Sequence, residues 1–156
     1  KVTINKKLID FFGPGSTIGE VAALNNTNRS GTVTAEVPTT VLWISTINLK
    51  NLIADYPSVG EKIWKVTAIE YTSYLLNQTK AFEDLTQHQL RKKLTFGKLL
   101  SFEKEASFEL LATQTGALIT GKLITENNKI EAPILLLGGN QKVAEGSKIF
   151  IVENLT

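Results

Sequence analysis

The sequence of 156 residues contains no cysteine and no methionine, and His88 is its one histidine. The absence of cysteine excludes a disulfide framework, a thiolate nucleophile and a thiolate metal site. A single histidine excludes a histidine cluster or a histidine-rich metal site. The carboxylates are scattered, and none stands beside a plausible base. The sequence therefore predicts a protein that is not an enzyme.

The chain also lacks a block of like charges and a long apolar run. Its 17 basic and 15 acidic residues are mixed along the chain, so we expect no nucleic-acid partner. The longest apolar run, around Ile134–Leu137, has the length of a strand and is too short to cross a bilayer. No signal peptide is recognisable, which favours a cytoplasmic protein. Because strand-like residues begin at Lys1, we expect a fragment of a longer protein.

Strand patterns occur at both ends of the chain. Residues rich in Val, Ile and Thr predict strands over Lys1–Ile9 and Thr32–Ile44, separated by a turn at Phe12–Ser16. After residue 97, five strand-like runs follow: Lys98–Phe102, Ser107–Thr113, Gly116–Thr125, Pro133–Leu137 and Lys148–Val152. Gly138–Asn140 is predicted to be a hairpin turn between two of them. With helices in the middle, this order predicts an α+β fold with two β lobes.

Two helices are predicted in the middle of the chain. The first begins at an N-cap, Ser45 or Thr46, and ends near Asp55. The second begins at a capping box formed by Ser58 and Glu61 and continues to about residue 79. Its apolar stripe must cover another surface. The stripe consists of Trp64, Ala68, Tyr71 and Leu75.

A third helix is predicted after residue 85. Thr86 and Gln89 have the spacing of a capping box, and His88 within it is expected to be solvated. Arg91 and the two lysines that follow it resemble part of a DNA-recognition helix. Strand-like residues come next, however, so a helix-turn-helix regulator is rejected.

Residues 18–35 contain the pattern with the clearest chemistry. Gly19 precedes a short helical turn, where backbone N–H groups can approach an anion closely. Arg29 can pair with phosphate oxygens in a fork geometry. Glu20 can accept a hydrogen bond from a ribose hydroxyl. These features suit a cyclic phosphate held on a sugar.

This pattern closely resembles the phosphate-binding cassette of cyclic nucleotide-binding domains. The matching residues are Gly19, Glu20, Ala22, Arg29, Thr32, Val33 and Ala35, with nine positions from Glu20 to Arg29. Ile18, Asn28 and Gly31 depart from the family pattern, and the last two are expected to loosen the loop. The resemblance implies ligand contacts from Gly19, Glu20, Val21, Ala22, Arg29, Ser30 and Thr32, with Tyr74 of a lid helix stacking on the base.

The resemblance also implies an architecture. We expect an antiparallel, jelly-roll-like β-roll with lid helices, followed by a second, smaller β lobe. Residues 1–45 would form the C-terminal half of the roll, with Val41–Ile44 as its closing strand. Residues 46–80 would form the hinge and lid helices. Residues 81–156 would form a degenerate second roll, because no Gly-Glu pair and no Arg occur between Pro133 and Ser147.

Two functions fit this pattern. The first is a cytosolic regulatory domain that binds cAMP in preference to cGMP, as a ligand and not as a cofactor. A roll followed by a degenerate roll resembles the cytosolic tail of sodium/proton exchangers, which implies an attached membrane transporter and a homodimer as partners. The alternative is a ligand-free structural or dimerisation module, in which Glu20 and Arg29 form a salt bridge in a degenerate pocket.

Overall fold

The computed structural model describes residues 1–29, 31–153 and 155 of the chain. The chain divides into two compact units, Lys1–Ile63 and Trp64–Thr156. The described residues form four helices and eleven strands, and the strand pairs among them are antiparallel. The fold is therefore mixed, with helices and antiparallel sheets, as the sequence predicts. None of the described helices is long and apolar enough to cross a membrane.

The first unit contains a small sheet in the order β2-β1-β3. Its strands are β1 (Val2–Ile4), β2 (Lys7–Asp10) and β3 (Thr32–Val33). The prediction of one strand over residues 1–9 is wrong. Asn5 and Lys6 adopt φ values of 49° and 68°, which form a two-residue turn of the kind that connects hairpin strands. The run therefore folds back on itself as a hairpin.

The predicted strand over residues 32–44 is confined to β3, and the closing strand expected at residues 41–44 is not formed. Within the described part of the chain, only Thr32 and Val33 of this run have partners, in β1. Backbone groups without a neighbouring strand cannot form a ladder. Leu42 and Trp43 lie in the part of the run that pairs with no described strand, and their side chains are 89% and 80% exposed.

The helices of the middle segment are α1 (Glu20–Asn25), α2 (Thr46–Asp55) and α3 (Pro57–Asn77). The N-cap of α2 is confirmed, because Ser45 Oγ accepts a hydrogen bond from the Asn48 N–H at 3.2 Å. The capping box predicted at Ser58 is wrong. The helix α3 begins one residue earlier, at Pro57, whose fixed φ and missing N–H suit the first helical position.

The helix α4 (Gln87–Leu94) begins at the predicted capping box. Thr86 Oγ1 accepts a hydrogen bond from the Gln89 N–H at 3.3 Å, and Gln89 Oε1 accepts one from the Thr86 N–H at 2.9 Å. His88 is exposed, as expected.

The second unit contains two four-stranded sheets, with the orders β4-β11-β6-β9 and β5-β10-β7-β8. This alternation between two sheets is the topology of an eight-stranded jelly roll. The second lobe, expected to be the smaller one, thus holds eight of the eleven described strands. Its strands are β4 (Lys98–Phe102), β5 (Ala106–Leu110), β6 (Gln114–Thr120), β7 (Lys122–Ile124), β8 (Lys129–Glu131), β9 (Ile134–Leu136), β10 (Gly139–Val143) and β11 (Ser147–Glu153).

Two of the sequence predictions for this unit are wrong. The run over residues 116–125 is divided into β6 and β7 by Gly121, whose φ is 91°. The residues predicted as a hairpin turn at 138–140 instead begin β10, where Gly139 pairs with Leu110 and Asn140 with Glu109. The strands β9 and β10 lie in different sheets, so these residues do not close a hairpin between them.

The sheet β4-β11-β6-β9 is covered on both faces. One face packs against α3 and α4, in a cluster that includes Ala117, Ile119 and Phe150. The other face packs against the second sheet through Leu118 and Ile149. The alternation along β6 and β11 follows from the two-residue period of a strand. The stripe of α3 has its partner surface here, because Ala68 belongs to the first cluster and Trp64, Tyr71 and Leu75 pack against it.

Gly97 provides a test of this packing. A Cβ atom at Gly97 would lie 2.6 Å from Cε1 of Phe150 and would clash with its ring. The side chain of Phe150 is fully buried. We expect Gly97→Ala to destabilise the protein by about 1–3 kcal/mol, the usual cost of overpacking a core. The measurement is the midpoint of urea unfolding. Gly138→Ala is the matched control, because the nearest atom to its Cβ is 3.6 Å away; equal effects of both changes would contradict the packing described.

Candidate functional site

The chain enters the candidate site through a tight turn. Pro14 and Gly15 occupy its centre, Gly15 has a φ of 82°, and the Ser16 N–H donates to the Gly13 carbonyl at 3.3 Å. A positive φ at the third position is typical of a type II turn. The turn predicted at Phe12–Ser16 is therefore confirmed.

Gly19 shapes the site through its backbone. It caps the N-terminus of α1 with φ 84° and ψ 5°, a region that side-chain-bearing residues rarely adopt. Its carbonyl accepts hydrogen bonds from the Ala23 N–H, at 3.4 Å, and from the Arg29 guanidinium. A Cβ at Gly19 would lie 3.0 Å from Arg29 Cζ and closer still to the nitrogen Nη1. Both the dihedral angle and the close approach require glycine here.

The helix α1 ends in a turn that returns the chain toward Gly19. Asn26 adopts a left-handed conformation, with φ 53° and ψ 38°, and the Thr27 N–H donates to the Ala22 carbonyl at 3.1 Å. Lys50 of α2 donates to Asn26 Oδ1 at 2.6 Å, which links the turn to the next helix. This reversal brings Arg29 back to the start of α1.

Asn26 and Lys50 were not found from the sequence. Asparagine is one of the few residues that end a helix in the left-handed conformation, so the run of polar residues after Leu24 carried a local signal for Asn26. No local pattern could indicate Lys50, because it contacts Asn26 across 24 positions of the chain.

Glu20, the first residue of α1, is half-buried. Burial raises the pKa of Glu20 above its ordinary value, while a hydrogen bond from its own backbone and the charge of Arg29 partly offset that rise. The ion pairs found among the described residues do not include one between Glu20 and Arg29. The side chain of Arg29 is exposed. The Glu20 carboxylate and the Arg29 guanidinium thus interact electrostatically but do not form an ion pair.

Gly31 and Thr32 connect the cassette to the sheet. Thr32 pairs with Thr3 in β1. A Cβ at Gly31 would lie 2.7 Å from the Thr3 carbonyl oxygen. The expectation that Gly31 loosens the loop stays a prediction; in addition, its missing side chain allows β3 to approach β1.

The structure brings three of the predicted site residues together: Gly19, Glu20 and Arg29. Val21 and Ala22 lie in α1 and are half-buried, and Thr32 is exposed in β3. Ser30 lies outside the described residues. Tyr74 is half-buried in α3, in the second unit.

The described residues of the second unit include no counterpart of this cassette. Only Leu137 and Gly138 connect β9 to β10, and Leu137 is 83% exposed. In the part of the chain that the structure describes, no group of three or more His, Asp or Glu side chains could hold a metal ion.

Comparison with known proteins finds a match to the first unit. Residues 1–56 match the family model of the cyclic nucleotide-binding domain, in agreement with the family that the cassette resembles. The match ends near the C-terminus of α2 and leaves residues 57–156 outside it.

Solved structures are similar at low identity. The regulatory domain of PKA from Toxoplasma gondii, crystallised with cAMP, is 15% identical over 97% of this chain and 65% of that chain, with a TM-score of 0.39. The cAMP-bound PfPKA-R is 13% identical over 96% of this chain and 57% of that chain, with a TM-score of 0.42. A cyclic nucleotide-binding-like protein from Brucella abortus is 12% identical over 53% of this chain and 90% of that chain, with a TM-score of 0.37. The chain spans less than two thirds of both PKA chains.

The electrostatics of Glu20 can be tested directly. Removing the positive charge in Arg29→Ala should raise the pKa of Glu20 further, since that charge stabilises the carboxylate. The measurement is an NMR titration of the Glu20 carboxyl carbon. Glu131, whose pKa is lowered by its hydrogen bond to Lys122, is the control and should not change. A Glu20 titration that moves to lower pH in the variant would contradict the arrangement.

The same shift has a consequence for stability. The pKa of Glu20 is higher in the folded state than the value of 4.5 in the unfolded state. Protonation of Glu20 therefore stabilises the folded state. This stabilisation is fully present at a pH below 4.5 and is lost as the pH rises through the pKa of the folded state. Protonation of Glu20 therefore favours the folded first unit at mildly acidic pH.

Proposed function

We propose that residues 1–56 bind a cyclic nucleotide through the cassette and that the chain serves as a regulatory, non-catalytic domain. The family match to this segment supports the ligand class. The observation that carries the proposal is the placement of Arg29, whose guanidinium is held at the Gly19 carbonyl beside Glu20 without an ion pair among the described residues. Both charged groups are thus available to a ligand.

The phosphate would be held by Arg29. A guanidinium has five N–H donors in a fixed plane, and the bond to Gly19 uses the nitrogen Nη1. The same side chain can therefore keep its backbone anchor and pair with two phosphate oxygens. An anchored guanidinium loses less side-chain entropy on binding than a free one, which favours affinity.

The ribose would be held by Glu20. Its carboxylate is partly withdrawn from water, as its raised pKa indicates. A ribose hydroxyl that donates to this carboxylate would replace hydration that the fold has already removed. A hydrogen bond to a charged acceptor is stronger than one between neutral groups. Glu20 and Arg29 thus recognise the two polar parts of one ligand.

The finer features of the proposal rest on sequence. We favour cAMP over cGMP because cAMP is the commoner ligand of the family that the cassette resembles. A cytoplasmic location, an attached membrane transporter and a homodimer complete this proposal. What supports them is the order of a cassette-bearing unit followed by a roll without a cassette.

A second candidate function is a structural or dimerisation module that binds no ligand. The exposed apolar run at residues 41–44 favours it, since Leu42 and Trp43 are 89% and 80% exposed. Exposed apolar residues in a row commonly mark an interaction surface. Ligand binding distinguishes the two functions.

The ligand-binding proposal predicts the effect of removing the guanidinium. Arg29→Ala should weaken binding of cAMP by about 2–4 kcal/mol, the scale for truncating one partner of a desolvated charge pair. The measurement is isothermal calorimetry on the whole chain with cAMP and with cGMP. Lys142→Ala, which removes one exposed positive charge from the second unit, is the control and should bind normally. The absence of heat and of a thermal shift for the unmodified protein at millimolar cAMP and cGMP would refute the proposal.

A further prediction concerns α3 as the moving element. We propose that its apolar stripe has two burial sites, of which the core of the second unit is the one described. A ligand can shift such an equilibrium only by binding one state better. Amide exchange over Glu61–Leu76 should therefore slow when saturating cAMP is added. Unchanged exchange, with binding confirmed by calorimetry, would show that α3 does not transmit the signal.

A further inference from the structure

An open groove of about 470 Å³ lies between α3 and α4 in the second unit. Val66 and Ile69 of α3 form its apolar part. The other side is formed by α4 and the residue that caps it, and it is mostly basic or polar. These residues are His88, Arg91, Lys92 and Thr95. Glu70 of α3 also lines the groove and adds a carboxylate to it. The family match ends at residue 56 and includes none of the groove residues.

The basic side of the groove is fixed in position by contacts between the two helices. Arg91 donates to Glu70 Oε2 from Nε at 2.8 Å and from Nη2 at 2.7 Å. One turn earlier, Ser73 Oγ donates to Gln87 Oε1 at 2.8 Å. Partly buried pairs of this kind hold two helices in one register. The last turn of α4 therefore has a defined place against α3.

Thr95 follows this last turn and has a distinctive sequence around it. Its side chain is exposed, and its Oγ1 donates to the Arg91 carbonyl at 3.1 Å. Arg91, Lys92 and Lys93 occupy the fourth, third and second positions before it. Phe96, directly after it, is 88% exposed. An exposed hydroxyl with basic residues before it and an apolar residue after it matches the charge pattern by which basic-directed kinases select substrates.

We propose that Thr95 is a phosphorylation site for a serine/threonine kinase that selects basic residues before the acceptor, and that the phosphate lies in the groove beside Arg91 and Lys92. In the reaction, Thr95 Oγ forms a bond to the γ-phosphorus of MgATP. The bond from that phosphorus to the β,γ-bridging oxygen breaks, and MgADP leaves with the electron pair. The hydroxyl proton passes to the kinase's catalytic carboxylate.

The residues that a kinase must recognise are already accessible. Lys92, Lys93, Thr95 and Phe96 are all exposed. Leu94 is fully buried, so an extended substrate conformation requires the last turn of α4 to open. This opening is confined to the last turn of α4, but it withdraws Leu94 from the core cluster, so the kinase acts on a minor, locally open form of the protein.

The groove offers partners for the phosphate once it is formed. A phosphothreonine carries a charge of about −2 and three acceptor oxygens. Glu70 adds a carboxylate to the groove, but Arg91 and Lys92, which line it together with Thr95, are both positively charged. Their charge opposes the unfavourable end of the α4 dipole, which repels an anion at a helix C-terminus. The phosphate would compete with Glu70 for Arg91 and so act on the contact that joins α4 to α3.

The experiment uses the whole folded chain with the catalytic domain of a protein kinase C and MgATP, and locates the phosphate by mass spectrometry. Incorporation is expected at Thr95 and should be lost in Thr95→Ala. It should fall strongly when Lys92 and Lys93 are both replaced by Ala. Thr113→Ala is the matched control, because Thr113 is exposed in a turn but has no basic residue before it; its removal should change nothing.

Circular dichroism of each variant shows whether it folds, so that a loss of incorporation is not mistaken for unfolding. An unmodified Thr95 in the folded protein would overturn the proposal. An unchanged rate in the double lysine variant would overturn it as well, because recognition would then not depend on the basic residues.

A separate measurement tests whether the phosphate lies beside Arg91 and Lys92. A ³¹P titration of the phosphorylated protein should give a lower second pKa in the folded state than in urea, since neighbouring cations favour the dianion. The same molecule in urea is the control, because it keeps the sequence and loses the groove. Equal values in both states would show that the phosphate does not lie beside Arg91 and Lys92.

Discussion

The candidate site depends on the left-handed backbone of Gly19. Its φ of 84° points the carbonyl toward both the first turn of α1 and the Arg29 guanidinium. If Gly19 carried a side chain, the dihedral angle would be strained and the Arg29 side chain displaced. Glu20 follows Gly19 directly, so the backbone conformation of Gly19 also places Glu20 at the start of α1. One backbone conformation thus places the two charged groups to which we assign the phosphate and the ribose.

Local signals in the sequence predicted most of the local structure. The N-cap at Ser45, the capping box at Thr86 and Gln89, and the turn before the cassette were all found, because each involves residues three positions apart. The capping box at Ser58 and Glu61 has the same spacing but was wrong, because Pro57 already begins α3. The spacing from Gly19 to Arg29 also indicated a single site, since the motif is continuous in sequence. Lys50 was missed because its contact with Asn26 depends on how α2 packs on α1.

Strands were predicted less well, because a strand is defined by its partner. Residues 34–44 have the composition of a strand but no ladder in the described structure, whereas the charged run Lys129–Glu131 forms β8 because β7 pairs with it. Gly138 and Gly139 also show that strand formation depends on a neighbouring strand. Their composition indicates a turn, yet Gly139 begins a strand because β5 lies beside it. Composition alone does not contain that information.

The two units also differ in what stabilises them, and this difference bears on ligand binding. In the second unit, the buried side chains of β6 and β11 pack against helices on one face and against a second sheet on the other. The connection from β9 to β10 has only two residues, Leu137 and Gly138, which leaves no length of chain for a cassette. In the described residues of the first unit, no hydrophobic side chain is fully buried. A molecule that binds only the folded form adds its binding free energy to folding. A ligand at Gly19, Glu20 and Arg29 would therefore add its binding free energy to a unit that has no fully buried hydrophobic side chain among its described residues.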